Sequence, residues 1–236
     1  MAIPLRFHPR PWPTTLCLAG LSVLLGLGFW QLDRLEWKEG LLARIDARMA
    51  ASAVPLPAGA LDLEGWEYRR VVVSGRFDHA KEVPVFKVGA QGGAGFDLYV
   101  PLKPGDAAEE IWVNRGWVGE TVYEGNPEAV ARPVELATLE GVMRKPWRPG
   151  PFTPDNDPTA NRWFWPELAA MNRMRRIESR AFVVHALPEA GAARWPRAER
   201  PGVNIRNDHL SYAITWFTLA GALVVIYLLA HLKQRK

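Results

Sequence analysis

Two long stretches of this sequence contain no charged residue, and they constrain its fold more than any other feature. The first runs from Pro11 to Leu32 and the second from Leu210 to Ala230. A helix needs about 20 apolar residues to cross the hydrocarbon core of a bilayer, and an uncharged run of eighteen or more marks a candidate span. Both stretches qualify. The sequence therefore predicts membrane-crossing helices over 13–32 and 209–231, short tails at 1–12 and 232–236, and one domain at 33–208 between the two anchors. A leading apolar run can also be a cleaved secretion signal. This one is long for that purpose, and Gly28-Phe29-Trp30-Gln31-Leu32 offers no small-x-small cleavage site, so it reads as a retained anchor. No Arg- and Ser-rich presequence is visible, which favours a bacterial inner membrane over an organelle.

Charge orients the two anchors. The 236 residues carry a net charge of +4. Arg6 and Arg10 precede the first run, and Lys233, Arg235 and Lys236 follow the second, while all 25 acidic residues lie between positions 33 and 208. Removing those five from the 29 Lys and Arg leaves 24 bases against 25 acids in the centre, a net of −1. Basic flanks collect on the cytoplasmic side of a membrane. Both tails are thus expected in the cytoplasm and the central domain on the periplasmic face. With the basic excess spent on topology, there is no basic stripe or motif to suggest a nucleic-acid partner. The single cysteine, Cys17, lies inside the first run, so no intramolecular disulfide, cysteine zinc cluster or redox pair can form. Met171 and Met174 are too few for a methionine copper site.

Between the anchors the hydrophobic period changes. Beyond Leu32, apolar residues at 35, 41, 42, 45 and 49 suit a helical face, predicting a helical extension over 33–50. Ala50–Ala60, with Pro55, Pro57 and Gly59, reads as a linker. Short β-like segments follow at Tyr68–Phe77, Glu82–Val88, Phe96–Leu102, Ile111–Val118, Val134–Arg144 and Ala181–Leu187, with a glycine-rich hairpin or loop at 89–95. Pro146–Pro158 reads as a surface loop, Pro166 to about Arg176 as one short helix, and Gly191–Asn204 as irregular. Strands at this spacing, split by Gly and Pro, predict a mainly antiparallel β domain, either a small barrel or a sandwich, with one or two short helices.

Polar and aromatic residues gather where each apolar run meets the domain. At the start of the second helix, Asn207 or Asp208 can cap the helix, and His209, Tyr212, Ala213 and Trp216 follow on one face. A neutral imidazole there can ligate haem iron, with the rings packing on the porphyrin. It can equally be an interfacial histidine within an aromatic belt. At the end of the first helix, Trp30, Arg34, Trp37 and Leu41 share a face. Arg34 can pair with a propionate-like carboxylate, stack on an indole, or reach lipid phosphate. Within the domain, alternation along Trp112–Val118 puts Trp112, Asn114 and Gly116 on one face and Val113, Arg115 and Trp117 on the other. A buried Arg115 is then expected to need a carboxylate partner, and Asn114 a partner for its amide. His79 and His185 read as structural or solvated. There is no nucleophile elbow, phosphate loop or H-E-x-x-H motif, so nothing recommends an enzyme.

Taken in order, several segments resemble the Surfeit locus protein family of cytochrome c oxidase assembly factors. They are Phe29-Trp30-Gln31-Leu32-Asp33-Arg34-Leu35-Glu36-Trp37-Lys38, Tyr68-Arg69-Arg70-Val71, Gly75-Arg76-Phe77, Val100-Pro101-Leu102, Val113–Val118, Glu140-Gly141-Val142 with Arg144, Asn161 with Trp163, and Asn207–Phe217. The resemblance spans nearly the whole chain and its two-anchor topology. It implies a non-enzymatic factor that helps install haem a in oxidase subunit I, working beside haem a synthase. It further implies His209 as axial iron ligand, Tyr212 and Trp216 as pocket residues, and the Trp30/Arg34 face as a second wall. A membrane-anchored scaffold that binds no haem is the alternative.

Overall fold

A computed structural model describes residues 5–105, 109–133, 136–188, 195–199 and 207–234. In chain order they form β1 (Leu5–Phe7), α1 (Pro11–Ala50), β2 (Val54–Pro55), α2 (Leu63–Trp66), β3 (Arg70–Phe77), β4 (Val83–Val88) and β5 (Ala94–Lys103). There follow β6 (Glu110–Gly119), α3 (Glu120–Gly125), β7 (Ala137–Arg144), α4 (Leu168–Arg175), β8 (Ser179–Ala186), α5 (His209–His231) and β9 (Leu232–Gln234). The chain divides into two compact units, one made of residues 1–44 with 203–236 and the other of residues 45–202.

The first unit is an antiparallel helix pair. Helix α1 runs without a break for 40 residues, about 60 Å at 1.5 Å per residue, and α5 for 23. Both are long and apolar enough to cross a membrane, as a two-pass membrane protein requires. Their seam is read from the contacts: Thr14 meets Tyr227, Gly20 meets Leu223, Gly28 and Phe29 meet Phe217, and Gln31 meets His209. Small residues let the backbones approach: a methyl group on Gly28 would lie 2.6 Å from the Phe217 ring, and Ala213 and Ala220 are buried. The outward faces carry exposed Leu16, Val23, Leu219, Val225 and Ile226. Ser22, Thr215 and Thr218 turn their hydroxyls back onto the carbonyls four residues earlier, so polar groups on those faces are satisfied within the helix. Beyond the seam β1 pairs antiparallel with β9, and the buried His231 ring sits between Phe7 and Tyr227.

The second unit is a closed five-stranded barrel in the order β3-β7-β8-β6-β5, with β5 returning to β3 through Arg76↔Lys103 and Phe77↔Leu102. The barrel form is thus settled in favour of closure. Pairing is antiparallel except between β6 and β8, and β4 adds to the outer side of β5. Closure brings backbones together at Gly75, where any Cβ would stand 2.4 Å from the Lys103 carbonyl oxygen. Each barrel strand sends an alternate residue into one cluster, represented by Val71, Leu102, Val113, Met143 and Val184. The opposite face of β5, β6 and β8 is covered by Trp163 and α4, with Tyr99, Trp112, Val183 and Met171 packed between. There the Trp112 indole N–H donates to Asn172 Oδ1 of α4 at 2.8 Å.

Departures from the expected elements have local causes. The Ala50–Ala60 segment is not wholly linker, because Val54–Pro55 pairs in parallel with Val71–Val72 and Leu56 N–H bonds Val72 O. Helix α2 is a single turn held by Asp62, whose carboxylate accepts from the Glu64 and Gly65 amides. Strict alternation fails in β6. Register shifts between Asp97 and Tyr99 of β5, where Arg115 and Gly116 of β6 face the single Leu98, and Gly116 within this bulge has φ +123°. Val118 therefore packs with Leu98 and Val130, while Trp117 meets Trp195 edge to face and donates to the Lys87 carbonyl, rather than sharing a face with Val113. The glycine-rich 89–95 region is the β4–β5 hairpin. The expected strand start at 134–135 and most of Gly191–Asn204 lie outside the described residues.

Candidate functional site

At the polar end of the helix pair one expected side chain, His209, meets α1. Asp208 stands at the N-cap of α5, and the first helical bond runs from Tyr212 N–H to the Asp208 carbonyl at 3.1 Å. The Asp208 side chain makes no capping bond, and Asn207 Oδ1 is buried without a hydrogen-bond partner among the described residues. One residue on, His209 turns its ring across the seam to α1, with Nδ1 2.7 Å from Gln31 Oε1. Gln31 is 9% exposed. An amide at that depth needs a partner, since an unpaired one costs about 1–3 kcal/mol or more in apolar surroundings.

Helical rotation explains which expected residues join this contact. Trp216 follows His209 by seven residues, two turns along the same stripe, and is half-buried; Tyr212 lies off the stripe and is exposed. On α1 the rotation of about 100° per residue separates Trp30 from Gln31. Trp30 is 48% exposed, and Arg34 stacks between Trp30 and Trp37, its guanidinium carbon 5.7 and 5.9 Å from the two ring centroids. Trp30, Arg34 and Trp37 thus form one outward-facing sandwich. Among the described residues no hydrogen bond or ring contact joins that sandwich to His209, Tyr212 or Trp216. Gln31 is the residue that sequence reasoning missed. Its signal was present: it is the one Asn or Gln in the uncharged run Pro11–Leu32, three residues after a glycine.

The barrel unit holds a separate polar group on the outer face of β5, β6 and β8. Asn114 donates to Asp97 Oδ2 at 3.0 Å, its own Oδ1 accepts the Gly116 N–H at 2.9 Å, and its amide nitrogen lies 3.4 Å from His185 Nδ1. Lys87 donates to Asp97 at 3.2 Å and to Glu199 at 3.0 Å. Burial raises the Asp97 carboxyl against the pull of Lys87. Burial, then the charges of Arg144 and Lys87, push the His185 imidazole down to about 3. Asn114 is thus paired as the sequence required. Arg115 is not paired as expected. It donates to the Ala131 carbonyl at 2.7 Å and lies over the Phe77 ring, while the nearby Glu82 carboxylate is taken by Arg132 and Tyr123. A backbone acceptor and a ring replace the carboxylate. His79 sits in a 3-10 turn against the Pro133 carbonyl, its pKa lowered first by burial and then by Arg115. Among the described residues no group of three His, Cys, Asp or Glu could hold a metal ion.

Fold and site together define a class: a small closed β-barrel unit and a pair of apolar helices whose seam carries one interhelical His–Gln contact. The SURF1 family model matches residues 18–221, and the chain belongs to that family. It is 31% identical to a SURF1-like protein of Monosiga brevicollis over 217 residues, covering 87% of this chain and 82% of that protein. It is 32% identical to Surfeit locus protein 1 of Mus musculus, covering 85% of this chain and 70% of the relative, and 32% identical to that of Homo sapiens, covering 84% and 70%.

Proposed function

We propose that this protein assists the assembly of cytochrome c oxidase by holding haem a as cargo for subunit I, beside haem a synthase, without catalysing a reaction itself. In this reading it sits in a bacterial inner membrane with both tails cytoplasmic and the barrel periplasmic. His209 is the axial iron ligand, Trp216 and Tyr212 are pocket residues, and Arg34 with Trp30 meets a propionate. Membership of the SURF1 family supports the assembly role. The observation that supports the haem reading is the His209 ring, engaged at Nδ1 by Gln31 at 2.7 Å, which leaves Nε2 as the nitrogen not taken by that contact. The residues present fit such a group: an imidazole at an apolar seam, a half-buried indole two turns along α5, and the Arg34 guanidinium three residues beyond Gln31 on α1.

The competing reading is an assembly scaffold that binds no haem. It is favoured by the outward turn of the Trp30–Arg34 stack, which shares no contact with His209. One experiment separates the two. The protein is purified in mild detergent from cells that make haem a, and its absorption is compared with that of His209→Ala. A Soret band that is lost or shifted in the variant supports the ligand role. A Soret band unchanged in the variant removes His209 from that role, and no haem in either preparation leaves the scaffold.

A further inference from the structure

A ring nitrogen facing an amide can act as donor or acceptor, and which it does decides what the other ring nitrogen offers. A carbonyl oxygen only accepts. Gln31 Oε1 stands 2.7 Å from His209 Nδ1, a contact that is a hydrogen bond when Nδ1 carries the proton, and in the neutral ring the lone pair is then on Nε2. The opposite orientation of the amide would donate to Nδ1, put the proton on Nε2 and leave that nitrogen unable to bind a metal. The Nδ1–H form is the less favoured tautomer of a free histidine side chain, so holding it requires a partner.

The seam is built to allow this contact. Gly28 lies one turn before Gln31 and Ala213 one turn after His209, and both positions lack the bulk that would spread the helices. The amide is otherwise costly in an uncharged run, and a polar residue kept at such a place is a functional candidate by default.

We propose that Gln31 is a positioning residue: its side-chain oxygen accepts the hydrogen bond of His209 Nδ1–H, fixing the tautomer and ring orientation that turn Nε2 into an iron ligand. The role in haem binding rests on the ligand reading of His209 given above; the tautomer itself does not. Removal of such an orienting partner lowers metal affinity on the order of 10- to 100-fold.

The test uses the full chain labelled with 15N-histidine, in detergent, free of haem and at pH 8. Long-range proton–nitrogen correlation reports which nitrogen of each imidazole is protonated, and the His209 signals are assigned by their loss in His209→Ala. The wild-type protein is expected to show His209 protonated at Nδ1. In Gln31→Leu, which keeps volume and removes the acceptor, the proton should move to Nε2. Gln31→Glu keeps an oxygen acceptor and should retain Nδ1–H. Titration with hemin then reads affinity: Kd should rise on the order of 10- to 100-fold in Gln31→Leu and stay near wild type in Gln31→Glu. Nε2–H in the wild-type protein overturns the proposal without recourse to any variant, as does a tautomer indifferent to Gln31→Leu. If the tautomer follows Gln31 while His209→Ala binds hemin with an unchanged spectrum, the ligand reading falls and only the hydrogen bond survives.

Discussion

Asn114 hands its amide N–H to the Asp97 carboxylate at 3.0 Å, on the stretch of β6 where the strand bulges. The same side chain accepts the Gly116 N–H, so one amide holds both a buried charge and an irregular backbone. Asn114→Leu removes both bonds and leaves Asp97, 8% exposed, with Lys87 as its remaining side-chain donor. The expected cost is about 2–4 kcal/mol, from the lost charge-assisted bond plus an under-satisfied buried group. Denaturant unfolding of the detergent-solubilised chain, followed through tryptophan fluorescence, should show it. A midpoint within error of wild type would refute the assignment.

Barrel closure makes a second prediction. The 2.4 Å approach that a Cβ at Gly75 would make to the Lys103 carbonyl oxygen is to backbone, which cannot swing aside. Gly75→Ala should therefore destabilise the barrel by about 1–3 kcal/mol, and Gly75→Val by more. Gly59→Ala, where nothing lies within 4 Å, is the matched control and should leave the apparent thermal midpoint in place.

Acid should weaken this protein partly through His185. Its folded pKa is depressed to about 3, below the unfolded value of about 6.5. Below about pH 6.5 the unfolded chain binds a proton that the folded chain refuses, so stability is lost as pH falls and is complete above that value. The limiting slope is about 1.4 kcal/mol per pH unit. Part of the residue reaches solvent, so we expect that slope over the first unit or two only. Comparing unfolding midpoints at pH 7.5 and 5.5 for wild type and His185→Gln checks this: the variant should lose less between the two.

The helix seam can be pried at Gly28. A side chain there collides with the Phe217 ring at 2.6 Å, and Gly28→Leu should force the two helices apart. Cysteines at Thr14 and Tyr227, whose hydroxyls now meet at 2.7 Å across the length of a phenol ring, should be joined by a short bifunctional thiol reagent in a chain with Cys17 replaced, and markedly less once Gly28→Leu is added. Equal yields would mean that the glycine does not set the spacing.

Much of this architecture was legible because it follows from solvent and period. The two uncharged runs became α1 and α5, and the alternating Val, Leu and Phe segments became strands. Two things were not legible, each for a physical reason. Closure depends on Lys103 meeting Arg76, residues far apart in sequence with no local signature. The bulge at Gly116 breaks a period of two, so face assignments made before it fail after it. Gln31 of Phe29-Trp30-Gln31-Leu32 was legible as the one amide in an uncharged run, and it turns inward where the louder Trp30 turns outward.

Strand β8 has a consequence for how this protein comes into being. It is the last barrel strand to leave the ribosome, yet it stands between β7 and β6, bonded to one antiparallel and to the other parallel. Until residues 179–186 have emerged, β6 and β7 each present a bare edge to the surroundings, and such edges recruit stray strands. Ring completion is therefore a late event of long loop closure, slow by its topology. A chain cut short before β8 is an unfinished ring with both of those edges bare.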